Sequence, residues 1–253
     1  MPLVSTPAII LSAMRYGETS RIVRLATRDF GVQSAIAKGA SRPRSRFGAG
    51  LQVLSSGQAH ILLSERHDLH TLTAFDLTSL PVRLTADVGR YATATAAAEV
   101  VLRVAPAEPH PEAYDVLLEA LHQLEEVPMS ELPAVSLRAL WQLVGALGFA
   151  PALGACARDG RPLPEGGEVA FSPPDGGALC ASCARSVETT VLPAEARVAL
   201  SQLSSAKGAL PALDARHAAA HRRLVARYIR FHMAEGAALP ALEFWLGQAW
   251  DVA

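Results

Sequence analysis

The sequence predicts a multidomain α+β protein: an N-terminal five-stranded, OB-like β-barrel, then an α-helical domain with an inserted zinc-knuckle-like segment. Three observations predict it. Apolar runs of strand length, punctuated by glycine, fill residues 1–80. Helical spacing of apolar residues begins after Pro81. Residues 150–190 then gather six Gly, five Pro and all three Cys, a composition too poor in apolar side chains for a large core. At 253 residues the chain is long enough for more than one core. The expected domains are 1–80 and 81–253, the latter containing the 150–190 insertion.

The expected strands are Ala8–Met14, Ser20–Thr27, Val32–Lys38, Leu51–Leu63 and Leu69–Phe75, rich in Ile, Val and Leu. Gly17, Gly31, Gly48, Gly50, Gly57 and the polar Glu65–Asp68 stretch separate them. No helical pattern intervenes, so a small closed or nearly closed barrel is expected. An OB-like barrel fits the strand count; an SH3-like barrel shares it, because count alone leaves topology open. Beyond Pro81, Leu84, Val88, Tyr91, Ala98 and Leu102 recur on one helical face. So do Tyr114, Leu117, Leu121 and Leu124, then Leu137, Leu140, Trp141, Val144 and Leu147. Pro106, Pro109, Pro111, Pro128 and Pro133 fall where helix breaks belong. Pro193 suits a first helical turn. Asp214 suits the N-cap of a last long helix to about Glu235, with Leu224, Val225, Tyr228 and Ile229 as its stripe. Leu239–Trp250 is an apolar tail expected to dock on the bundle.

Charge is distributed unevenly. The chain totals −1, yet residues 1–80 carry nine Lys/Arg against five Asp/Glu. Between Arg15 and Arg46 stand eight basic side chains and two acidic ones, Glu18 and Asp29. A patch, not a basic total, is the electrostatic footprint of a polyanion site. Neither an apolar run of membrane-spanning length nor a signal-peptide pattern is evident, and three Cys do not make a secreted disulfide scaffold. A cytoplasmic, nucleoid-associated protein without membrane partners is expected.

The basic loop Lys38-Gly-Ala-Ser-Arg42-Pro-Arg44-Ser-Arg46 alternates charge with small residues. Read as an extended loop, it puts Arg42, Arg44 and Arg46 on one side, and small neighbours let a sugar-phosphate backbone approach. A solvated loop without a ligand is the plainer reading. Arg21 and Arg24 on the adjoining strand weigh against it, since a barrel with a charged groove is a recurrent single-strand surface. The DNA-binding set is therefore Arg21, Arg24, Lys38, Arg42, Arg44 and Arg46. Stacking platforms are scarce: Tyr16, Phe30 and Phe47 alone lie in this region.

Cys180-Ala-Ser-Cys183 has zinc-ligand spacing, and Cys156-Ala-Arg-Asp159 sits where a second C-x-x-C would complete four ligands. Structural zinc sites use mostly Cys and His, so a set of Cys156, Asp159, Cys180 and Cys183 is a degenerate zinc site, and a metal-free knuckle held by packing is the alternative. His217 and His221 are one helical turn apart, but with Arg216, Arg222, Arg223, Arg227 and Arg230 beside them they read as a solvated basic face. An enzyme is not expected. His110-Pro-Glu112 with Cys180-x-x-Cys183 departs from the zinc deaminase signature in spacing and lacks its proline. Phosphate-loop, nucleophile-elbow, HExxH and dinucleotide fingerprints are missing, so no nucleotide cofactor is expected.

Tyr16-Gly-Glu-Thr-Ser20, Thr27-x-x-x-Gly31, Lys38-Gly-Ala40, Ser45-Arg-Phe-Gly48 and Leu51-Gln52 follow one another as they do in the bacterial RecO family of recombination mediators. The chain resembles that family over most of its length. The resemblance implies an N-terminal OB-fold, a helical C-terminal domain and, in many members, a four-cysteine zinc knuckle. It implies binding of single- and double-stranded DNA, annealing of complementary strands and assistance in loading recombinase onto DNA coated by single-strand binding protein. It further implies RecR and the acidic tail of single-strand binding protein as partners. Lys38 and Arg42 match the family's basic loop; Cys156, Cys180 and Cys183 match three knuckle ligands. Asp159 departs from the fourth. The competing class is a non-enzymatic interaction scaffold whose barrel binds a protein.

Overall fold

The computed structural model describes residues 2–105, 108–234 and 236–248; Pro106, Glu235 and the end of the apolar tail lie outside them. The chain forms two compact units, Met1–Glu125 and Glu126–Ala253.

In the first unit five strands close into a barrel: β1 (Leu3–Tyr16), β2 (Ser20–Thr27), β3 (Gly31–Ala37), β4 (Ser56–Leu62) and β5 (Leu69–Ser79), in the order β1-β2-β3-β5-β4. β3 and β5 run parallel and the other pairs antiparallel. That closed order is the OB topology, which resolves the alternative left open by strand count. Closure depends on the length of β1, whose N-terminal half pairs with β4 and C-terminal half with β2. A bulge between Ile10 and Ser12 coils it between the two. Alternate residues point inward, and Ala8, Ile10, Val23, Leu25, Ala35, Ala37, Ala59, Ile61, Leu72 and Phe75 fill the interior. Gly57 is obligatory where β4 meets β5: a Cβ there would stand 2.4 Å from the Asp76 carbonyl oxygen.

The fourth strand starts later than the sequence reading, at Ser56. Residues 51–55 are turns, and Leu54 takes a left-handed φ of 72°. Leu51 turns into the barrel interior instead of extending along it. The helices of this unit are α1 (Val82–Thr85), α2 (Val88–Val104) and α3 (Pro111–Glu126). Asp87 caps α2 by accepting from the Arg90 N–H at 2.9 Å, and α2 packs on β1 and β2.

The second unit is built on α4 (Leu132–Val144), which packs against α6 (Ala194–Ser204) and α7 (Ala215–Met233). Leu137, Leu140, Trp141 and Val144 are fully buried, and the Trp141 and Tyr228 rings lie 5.2 Å apart. A π-helical turn, Gly145–Phe149, ends α4 where Gly148 takes a φ of 90°. The run Leu132–Phe149 has the length and mean hydropathy of a membrane span, but 67% of it is buried inside this unit and it carries Arg138. It is a core helix. The Cys-containing segment forms a three-stranded sheet, β7-β6-β8, from β6 (Val169–Ser172), β7 (Gly177–Leu179) and β8 (Thr190–Leu192), with the single turn α5 (Ala181–Ala184). Asp214 caps α7 by accepting from the His217 N–H at 2.8 Å. The tail forms α8 (Pro240–Gly247).

Phe47 is the largest side chain that the long loop inserts into the barrel. Phe47→Ala is expected to lower stability by about 3 kcal/mol, read as a lower urea midpoint for the barrel. An unchanged midpoint would contradict its role as anchor.

Candidate nucleic-acid interface and metal centre

The loop between β3 and β4 is not extended. Successive three-residue turns wind it, with backbone N–H groups of Arg42, Ser45, Gly48 and Gly50 donating to the carbonyls of Gly39, Arg42, Ser45 and Phe47. The shared side inferred for Arg42, Arg44 and Arg46 from extended spacing therefore does not hold. What sorts the side chains is burial. Ala40, Phe47 and Leu51 pack into the barrel core, and Lys38, Arg42, Arg44 and Arg46 are left exposed. Arg46 lies over the Phe47 ring at 5.2 Å. The Ser41 N–H donates to the Thr19 carbonyl at 2.8 Å, tying the loop to the β1–β2 turn.

That tie brings further cations to the same end of the barrel. Arg15 and Arg21 are register partners across β1 and β2. Arg21 shares the row of Val23 and Leu25, whereas Arg24 lies on the opposite face, so the two arginines of β2 do not act on one side. Burial lowers the pKa of Arg24, and repulsion from Arg103 of α2 lowers it further. Arg103 was missed by the sequence reading. Its signal is its place in the last turn of a helix that packs on β2.

Many other arginines of the chain are committed to structure. Arg28 makes a bidentate pair with Asp115 at 2.8 and 3.0 Å, and Arg230 pairs with Glu243. Arg90, Arg138, Arg197 and Arg222 donate to backbone carbonyls of Leu124, Ala209, Leu153 and Gln248 respectively. By contrast, among the described residues none of Arg15, Arg21, Arg24, Lys38, Arg42, Arg44 and Arg46 has a carboxylate partner. Unpaired cations repel one another until an anion arrives, so this end of the barrel is suited to a polyanion.

In the second unit the ligand atoms of Cys156, Asp159, Cys180 and Cys183 all lie within 4.8 Å of one another. Cys156 is buried. The Asp159 Oδ2 accepts from both Cys180 and Cys183 thiols at 3.5 Å. The Arg161 backbone N–H, followed by the Cys156 thiol, holds the Asp159 carboxyl down at about 2. The Ser182 hydroxyl, 3.0 Å from the Cys180 sulfur, holds that thiol down at about 7. Three sulfurs and one carboxylate thus converge as a four-donor set, which is the geometry test a metal-binding knuckle must pass.

The solvated basic face expected of α7 holds for Arg216, His217, Arg223 and Arg227, which are exposed, but not for two of its residues. Arg222 and His221 are buried. Arg222 turns its head to the carbonyls that end α8, and its ring-stacked position over Trp245, 5.2 Å away, excludes water from it. His221 lines the wall between two cavities. One, of about 250 Å³, is walled by Val191, Leu192, Leu224 and His221 and rimmed by Arg223 and Arg227. The other is bordered by Glu195, Asp214 and His217. Both ring nitrogens of His221 are buried without a hydrogen-bond partner among the described residues.

The sequence matches two family descriptions, "Recombination protein O N terminal" over residues 1–81 and "Recombination protein O C terminal" over residues 85–239. It is similar to the DNA repair protein RecO of Anaeromyxobacter dehalogenans strain 2CP-C, 37% identical over 215 residues, 84% of this chain and 82% of the relative. The RecO of Nocardioides sp. strain JS614 is 33% identical over 237 residues, 90% of this chain and 94% of the relative. That of Symbiobacterium thermophilum is 36% identical over 185 residues, 72% of each.

Burial, with His217 as a lesser cause, holds the His221 ring down at about 4, against an ordinary 6.5. An unfolded chain would protonate this ring below about 6.5, and the folded chain resists until about 4. Stability is therefore intact above that window and falls as pH descends through it, by up to about 3 kcal/mol. His221→Leu should show a smaller loss of urea midpoint between pH 7 and about pH 4.5. Equal losses in both proteins would contradict the assignment.

Proposed function

The chain belongs to the recombination protein O family of DNA repair and recombination proteins, and from that premise we propose that it is a mediator that binds single- and double-stranded DNA and anneals complementary strands. It would also assist in loading recombinase onto DNA coated by single-strand binding protein. The observation that carries the proposal is the set of exposed cations, without carboxylate partners among the described residues, that the buried anchors Phe47 and Leu51 hold on the outside of the barrel. Residues 1–80 would be the DNA-binding domain, with Lys38, Arg42, Arg44 and Arg46 as principal phosphate contacts and Arg21 and Arg24 beside them. Residues 81–253 would be the helical domain, with RecR as a further partner. The protein would act in the cytoplasm, at the nucleoid.

No catalytic residue is needed. Two complementary strands repel each other as polyanions. Guanidinium groups that occupy their phosphates reduce that repulsion and release condensed counterions, so binding is tolerant of sequence and steep in salt. Once the strands are close, base pairing drives the reaction. The acidic, apolar-tipped tail of single-strand binding protein calls for an apolar groove with a basic rim. The cavity between β8 and α7, with Val191 65% exposed at its edge and Arg223 and Arg227 on its rim, supports such a contact.

Zinc would be held by Cys156, Asp159, Cys180 and Cys183, whose convergence fits it. When bound, the ion supplies a structural cross-link and no chemistry toward DNA. Three thiolates and a carboxylate carry the same total charge as four thiolates, so Asp159 leaves the electrostatic balance of a knuckle unchanged while replacing a soft donor by a hard one.

An Arg42→Glu/Arg44→Glu variant should lose at least tenfold in affinity for all sequences alike at matched salt, with a salt slope shallower by about two. Wild-type affinity in that variant would remove the loop from the interface. Zinc-replete protein should carry about one metal per chain by mass spectrometry, lost in Cys180→Ser together with increased proteolysis between 150 and 190. Protein that holds no metal after zinc-replete refolding would make the knuckle one held by packing.

A further inference from the structure

The interior rows of the barrel decide which side chains remain outside. Ala13 packs toward the core, so Met14 and Tyr16 fall on the outward row of β1. Their register partners on β2 are Ile22 and Ser20, and Ile22 in turn pairs with Ile36 of β3. Met14 and Tyr16 are 58% and 53% exposed, large apolar surfaces that nothing in the first unit covers. Tyr16 opens the turn whose Thr19 carbonyl receives the Ser41 N–H, and its chain neighbour Arg15 faces Arg21. It therefore stands at the cationic end of the barrel.

The other two aromatics of the region do not share that position. Phe47 is spent on the core. Phe30 is half-buried at the β2–β3 turn, the opposite end of the barrel, where Arg28 is already paired with Asp115. An exposed ring at the turn to which an exposed cationic loop is tied suits one chemistry in particular: a flat apolar body carried on a phosphate chain. We propose that Tyr16, backed by Met14 and Ile22, is a stacking platform for the unpaired bases of a single strand whose phosphates lie along the exposed cations of the Lys38–Arg46 loop, which the Ser41–Thr19 hydrogen bond ties to the same turn. This inference rests on the nucleic-acid reading above and adds to it a basis for discrimination. Bases in a duplex are stacked on one another and leave no face for Tyr16, so the platform favours single strands. Tolerance of sequence is kept, because every base has a π-face.

The test compares wild type, Tyr16→Ala and Tyr16→Phe for equilibrium binding to three fluorescent ligands of equal length at matched salt. These are an oligothymidylate, a duplex, and an abasic strand that keeps the phosphates but lacks bases. Tyr16→Ala should lose about tenfold on the oligothymidylate and stay within about twofold of wild type on the duplex and the abasic strand. Tyr16→Phe, which keeps the ring, should match wild type on all three. Equal losses of Tyr16→Ala on all three ligands would make the role structural or electrostatic and overturn the proposal. Wild-type affinity of Tyr16→Ala for oligothymidylate would overturn this inference alone, whereas failure of wild type to bind any of the three would overturn the nucleic-acid reading with it.

Discussion

The barrel closes because one strand is long enough to pair twice. β1 gives its first residues to β4 and its last to β2, and the bulge after Ile10 lets it turn between the two. The position of every candidate DNA-binding residue follows from that closure. It creates an interior that takes Phe47 and Leu51 from the loop, and each apolar anchor drawn inward leaves its charged neighbours in solvent. Desolvating a guanidinium costs far more than desolvating a phenyl ring gains. The loop thus has one arrangement that buries its apolar residues and keeps its charges hydrated, and that arrangement is cationic outward.

Arginine plays two parts in this chain, and separating them sharpens the electrostatic picture more than net charge does. Where a helix end leaves carbonyls without partners, an arginine reaches in to satisfy them, as Arg222 does at the end of α8 and Arg90 does for Leu124. Where carboxylates are near, Arg28 and Arg230 neutralise them. Among the described residues, the arginines around the β1–β2 turn and the β3–β4 loop have neither kind of partner. A net charge of −1 conceals this, because it counts a buried structural arginine and a free surface one alike.

Period-2 and period-3.6 patterns carried most of the architecture. β2 begins and ends at the residues that its apolar alternation predicts, and Asp214 caps α7 as its side chain and position suggest. The losses have local causes. Leu51 looks like the start of a strand because a buried plug and a buried strand residue have the same composition. Arg42, Arg44 and Arg46 look like one side of a ribbon until consecutive turns, set by Gly39 and Gly48 at positive φ, wind the segment up. His221 and Arg222 look solvated from their charge, although His221 stands four residues before Val225 on the buried stripe of α7. Periodicity held the right answer there and charge outweighed it. The ligand convergence of Cys156, Asp159, Cys180 and Cys183 was legible from spacing, because a knuckle is a local structure; the groove beside His221 was not, because β8 and α7 meet through tertiary packing alone.

The central claim is that this barrel recognises a phosphate backbone. The measurement that tests it most directly is the affinity of the wild-type protein for a labelled single strand across a salt series, with its complement added at the end. The account predicts a straight, steep decline of log affinity with log salt, and annealing faster than that of the free strands. An affinity indifferent to salt, or no binding at about 50 mM, would contradict it and make the barrel a platform for a protein partner.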